Sequence, residues 1–105
     1  MIGALKKLFG LGPTPDLSML LREGAVVLDV RTPAEFQRGH VKGAVNIPLD
    51  QLSSQLHRLK NKEQYVITCC ASGMRSSAAK VLLFKAGYRN VVNGGSWTAV
   101  NRHSG

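Results

Sequence analysis

Apolar residues fall along this chain in two alternating rhythms. The first is the short, nearly continuous run rich in β-branched side chains. Ala25-Val26-Val27-Leu28-Asp29-Val30 is one such run and Tyr65-Val66-Ile67-Thr68-Cys69 is another, each with the look of a strand buried on both faces of a parallel sheet. Gly43 to Pro48 reads as a briefer strand closed by proline, and Tyr88 to Val92 as a last one. The second rhythm is three-to-four spacing. Leu17, Leu20 and Leu21 follow a cap at Asp16 or Ser18 and stop at Gly24. Thr32-Pro33-Ala34-Glu35 is a capping box with proline at the first helical position, opening a helix that ends near Gly39. Leu49, Leu52, Leu56 and Leu59 predict a third helix, and Ser76 to Ala86, with Ala78, Val81, Leu82 and Lys85 in phase, a fourth that Gly87 ends. Strands alternating with helices over short connections predict an α/β domain with a mostly parallel sheet. Ligands bind at the carboxyl ends of the strands in such sheets, which draws attention to the loop that begins at Cys70.

A length of 105 residues suits one such core and no second one. The division this suggests is an amphipathic segment and linker over residues 1–15 and a domain over 16–105. In the first part, Ile2, Leu5, Leu8 and Phe9 alternate with Lys6 and Lys7. A helix this short is marginal alone, so packing on the domain or fraying is preferred to membrane contact by residues 1–12. No apolar run approaches the roughly 20 residues of a membrane span. Lys and Arg number 14 against 6 Asp and Glu, a net charge of +8. The basic residues are scattered and carry no recognition-helix or RNA-binding signature, so the charge reads as a solvated surface that steers small anions and not as a nucleic-acid footprint.

Chemistry centres on the two cysteines, Cys69 and Cys70. Neighbouring Cα atoms lie about 3.8 Å apart, too close for an ordinary disulfide, and no third cysteine is present to pair with either. Free thiols and the lack of a signal-peptide pattern place the chain in a reducing cytoplasm as an expectation. No histidine has metal-ligand spacing with the cysteines, so no zinc site is expected. Cys69 reads as a small hydrophobe inside its strand. Cys70 stands where the strand gives way to Cys70-Ala71-Ser72-Gly73-Met74-Arg75-Ser76. A thiol with a pKa of about 8.5 is mostly protonated at neutral pH and is a useful nucleophile only as thiolate. A tight loop entering a helix supplies curled N–H groups and the positive end of the helix dipole, and Gly73 permits the curl. Arg75 adds a charged planar fork, and Ser72 and Ser76 add hydroxyls, so the whole loop reads as an anion cradle. Asp29 needs a partner where its strand ends, and Arg31 is the nearest; the two are read as a supporting pair. His40, in a Gly-His turn, reads as a local structural residue.

Three ordered blocks resemble the rhodanese domain: Leu28 to Phe36, Gly39 to Pro48, and Cys70 to Ser76, followed by Gly94-Gly95. The resemblance spans roughly Leu17 to Trp97. It implies a three-layer domain with a five-stranded parallel sheet, and a catalytic cysteine first in a six-residue loop. It also implies sulfurtransferase activity of the thiosulfate type. On this chain the cysteine is Cys70, which would take a sulfane sulfur from a small anionic donor such as thiosulfate and hold it as a persulfide against the loop from Ala71 to Ser76. Cyanide or a thiol, in a small molecule or a thioredoxin-like protein, would then remove it. The chain departs from the family where Ala71 replaces the arginine that often follows the nucleophile. It also ends soon after Trp97, which predicts a reduced or missing C-terminal helix. Two other functions fit an anion cradle. One is a cysteine-dependent phosphatase or arsenate reductase, whose loop is one residue longer than the stretch from Cys70 to Arg75. The other is a noncatalytic binding module, which retention of Cys70 disfavours.

Overall fold

The computed structural model describes residues 16–104. The amphipathic pattern at residues 1–12 lies outside the described residues. Helix α1 (Leu17–Arg22) starts where the Asp16 carboxylate accepts from the Ser18 N–H, and strand β1 (Val26–Asp29) follows. Helix α2 (Pro33–Arg38) carries the complete capping box, with Glu35 N–H donating to Thr32 Oγ1 and Thr32 N–H donating to Glu35 Oε1. After β2 (Val45–Asn46) the chain winds through a 3-10 segment (Leu49–Arg58) into β3 (Val66–Cys70). Helix α3 (Met74–Lys85), β4 (Val91–Ser96) and α4 (Trp97–Ser104) complete it.

The strands pair in parallel in the order β2-β1-β3-β4. Successive β3 side chains point to opposite faces, as the pleat requires. Val66 and Cys70 join Leu28, Val30, Ile47, Leu52, Leu59, Ala79, Leu83 and Tyr88 in one core, beneath the 3-10 segment and α3. Ile67 and Cys69 face the other way and pack with Leu20, Val27, Val41, Val92 and Val100 under α1 and α4. Three layers result, with the carboxyl end of central β3 at one edge of the sheet.

The structure departs from the sequence reading in five places. Four strands stand among the described residues where the family resemblance implies five; they fall at the four strand-like runs of the sequence, and the stretch before Gly24 forms the capped helix α1. The C-terminal helix is present: α4 runs for eight residues and buries Val100. The last strand starts later, because Tyr88 turns into the core and donates its hydroxyl to the carbonyls of Leu56 and Leu59 at 3.1 and 2.6 Å. The third helix is a 3-10 segment broken at Gln55, where the Ser54 hydroxyl donates back to the Gln51 carbonyl and competes with helical pairing. Helix α3 is also rotated from the phase read in the sequence. It buries Ser76, Ala79 and Leu83, while Val81 is exposed.

Candidate active site

Cys70 is the last residue of β3, and its buried sulfur lies inside the curl of the next few residues. The Gly73 N–H donates to Sγ at 3.0 Å and the Ser76 N–H at 3.4 Å, while Ser76 Oγ lies 3.5 Å away. Gly73 caps α3 with φ of 101°, a left-handed conformation that L side chains resist, and this turns its N–H onto the sulfur. The sulfur therefore sits at the positive end of a twelve-residue helix. Burial pushes the thiol pKa up, but the Ser76 hydroxyl and the N–H groups of Ser76, Gly73 and Ser72 outweigh it, so the net shift is downward. Cys69 behaves oppositely. Burial, reinforced by the Asp29 carboxylate, drives its thiol up to about 12, and its side chain packs in the core on the other face of the sheet. It is the small hydrophobe read from the sequence.

The remaining loop residues divide by exposure. Ala71, Ser72 and Met74 are open to solvent, and Ser76 is fully buried. Arg75 sends both terminal nitrogens to Glu35, at 2.7 Å to Oε1 and 2.9 Å to Oε2. This fork ties α3 to α2, and Arg75 holds the Glu35 carboxyl down to about 2. No hydrogen bond runs from the Arg75 guanidinium to the Cys70 sulfur.

Asp29 and Arg31 form the buried pair that the sequence suggests. Arg31 Nη2 donates to Asp29 Oδ2 at 2.7 Å, and Nε lies 2.9 Å from Oδ1. Other guanidinium N–H groups reach the carbonyls of Glu35 and Gly39 at 3.1 and 2.7 Å, and the charge stands over the Trp97 ring at 4.9 Å. Arg31 thus locks the end of β1 to the turn around Gly39 and to the start of α4, a structural duty beneath the site. His40 has a local role as well: Nδ1 pairs with the Phe36 carbonyl at 2.7 Å and the ring stacks on Phe36. Among the described residues, no group of three or more His, Cys, Asp or Glu side chains is placed to hold a metal ion. No helix among them is long and apolar enough to cross a membrane.

Sequence reasoning missed Asn93. Its Oδ1 accepts from the Ser76 hydroxyl at 2.6 Å and from the Gly95 N–H at 2.9 Å, and its Nδ2 faces the Gly73 carbonyl at 3.4 Å. One amide thus fastens β4 to Gly73 and Ser76, whose N–H groups point at the sulfur. The signal was a polar residue directly before Gly94-Gly95, a turn marker inside what proves to be a strand. The register shifts there: Thr68 pairs with Asn93 but Cys70 with Ser96, so the glycines bulge beside the loop. Gly94 cannot carry a side chain, since a Cβ would lie 2.5 Å from Val100 Cγ2 and 2.8 Å from Ile67 Cγ2.

Comparison with known proteins agrees with this geometry. The model of the rhodanese-like domain family matches residues 14–103. Thiosulfate sulfurtransferase PspE of Escherichia coli is 38% identical over 69 residues, covering 65% of this chain and 66% of that protein. Thiosulfate sulfurtransferase 18 of Arabidopsis thaliana is 40% identical over 100 residues, covering 81% of this chain and 73% of the relative. The chain therefore spans two thirds to three quarters of the length of these relatives. Among solved structures, a rhodanese with anions from E. coli superposes with a TM-score of 0.69 at 34% identity, over 72% of this chain and 91% of that one. Reduced CoADR-RHD of Bacillus anthracis gives a TM-score of 0.73 at 27% identity, over 98% of this chain but 19% of that larger one.

Proposed function

The chain belongs to the rhodanese-like domain family, and on that premise we propose that it is a sulfurtransferase in which Cys70 carries a sulfane sulfur as a persulfide. The observation that carries this reading is the position of the Cys70 sulfur, buried at a helix N-terminus and facing the N–H groups of Gly73 and Ser76. Those groups favour the anion over the thiol, which supplies the nucleophile without a neighbouring histidine. The Cys70 thiolate attacks the outer sulfur of thiosulfate. A bond forms between Sγ and that sulfur, the sulfur–sulfur bond of thiosulfate breaks, and its electron pair leaves with sulfite. The terminal sulfur of the new persulfide carries the negative charge that the loop N–H groups are directed to hold. An acceptor thiolate or cyanide then attacks that terminal sulfur, and Cys70 departs as thiolate, ready for another cycle. None of these steps calls for a metal or an organic cofactor.

Arg75 contributes electrostatic attraction of the donor at the mouth of the loop, moderated by its pairing with Glu35. Thiocyanate formation from thiosulfate and cyanide tests the whole cycle. The wild-type protein should turn over repeatedly and Cys70→Ser not at all; equal thiocyanate production by the two would remove Cys70 from the reaction.

A further inference from the structure

Helix α3 leaves an apolar stripe unburied. Met74 is 80% exposed, Phe84 71% and Val81 52%, and at about 100° per residue the three fall on one side of the helix. The stripe spans ten residues, about 15 Å at the helical rise. Lys80 and Lys85, both exposed, border it on either edge, and no acidic residue lies anywhere on α3. One end of the stripe is at the catalytic loop, because Met74 follows Gly73, whose N–H holds the Cys70 sulfur.

We propose that this face of α3 is the docking surface for an acidic protein that carries the acceptor thiol. The inference rests on the sulfurtransferase reading and names the acceptor class for the same site. The Cys70 sulfur is buried, so an acceptor thiolate must be brought to the mouth of the loop, and a partner seated on Val81 and Phe84 extends over Met74 to reach it. Apolar anchors rimmed by lysines suit a partner with an apolar patch inside an acidic rim, and charge complementarity of this kind speeds association. The same charges oppose pairing with a second copy of this face, since each copy would bring Lys80 and Lys85 against its own likeness. A lipid surface fits less well than a protein, since lipid covering Met74 would close the loop mouth that the acceptor must enter.

The test compares two acceptors. Wild-type protein and Val81→Ser/Phe84→Ser are loaded from thiosulfate and discharged with cyanide or with reduced thioredoxin, a small acidic protein with an accessible thiolate. Discharge to thioredoxin should fall about tenfold in the variant, the effect of losing roughly 1.4 kcal/mol of contact, while discharge to cyanide stays unchanged. Raising the salt concentration should slow the wild-type reaction with thioredoxin. Equal thioredoxin rates in wild type and variant would overturn the proposal. So would Phe84-dependent binding to anionic phospholipid vesicles, or Phe84-dependent dimerisation, without an effect on thioredoxin discharge. Failure of cyanide to discharge the wild type would instead count against the sulfurtransferase reading itself.

Discussion

At the scale of single residues, the sulfur of Cys70 is governed by hydrogen bonds competing with burial. The Ser76 hydroxyl stands 3.5 Å from the sulfur and 2.6 Å from Asn93 Oδ1, and its one rotatable proton can turn to the thiolate once Cys70 ionises. Ser76→Ala removes one of the groups that lower the Cys70 pKa while burial, which raises it, remains. In the proposed mechanism loading requires the thiolate, so its rate should rise with pH through the Cys70 pKa and then level off. The rising limb should move to higher pH in Ser76→Ala; a superimposable profile would show that the serine has no part in ionisation. Asp29 poses a question of stability. Deleting it strands the Arg31 guanidinium in the interior, and breaking a buried pair in this way costs about 3–5 kcal/mol. Asp29→Ala should therefore lower the denaturation midpoint far more than Cys70→Ser, and equal midpoints would contradict the assignment. Cys70, Asp29 and Arg31 were legible because each breaks a local rule: a thiol at a strand end, or charges beside a buried run. Asn93 was not, because its partners Ser76 and Gly73 are 17 and 20 residues away, and only the fold brings them together.

At the scale of elements, the site depends on the contact between β4 and the loop. Gly94 lets α4 approach the sheet, and a methyl group there would meet Val100, Ile67 and the Thr68 carbonyl at 3.0 Å. Gly94→Ala should destabilise the fold by about 1–3 kcal/mol, as overpacking of a close contact does. Chemical denaturation measures this directly, and an unchanged midpoint would mean that the strands and α4 separate easily. The helices with explicit caps, α1 and α2, were readable almost to the residue, because Asp16 and the Thr32–Glu35 box fix their starts chemically. Helix α3 was placed correctly along the chain and turned wrongly about its axis. Small residues at 76, 79 and 86 pack against the sheet, whereas the larger Val81 and Phe84 face outward, so ranking by hydrophobicity selected the wrong side. The 3-10 segment was misread because spacings of three and four fit either helix type.

At the scale of the whole molecule, the chain carries a net charge of +8, and the one arginine of the Cys70 loop is paired with Glu35. Diffuse positive charge and Arg75 together should assist the approach of thiosulfate. Added salt should slow loading, and Arg75→Ala should slow it further while also cutting the tie between α2 and α3. Stopped mixing at several ionic strengths would show this, and a salt-independent rate would remove steering from the account. The order of strands and helices was legible from α1 to the last strand, since each buried run and each cap is a local signal, whereas α4 was not read. The four strands were legible as well, since four runs carry strand signals and the Asp16 cap marks the stretch before Gly24 as helix; the fifth strand was implied by the family resemblance alone.

In the proposed function Cys70 holds a transferable sulfur. Intact-mass spectrometry of the reduced protein after exposure to thiosulfate tests it most directly. The wild type should gain a single sulfur atom and lose it on adding cyanide, and Cys70→Ser should gain none. A wild-type mass unchanged by thiosulfate, or the same gain in Cys70→Ser, would contradict it.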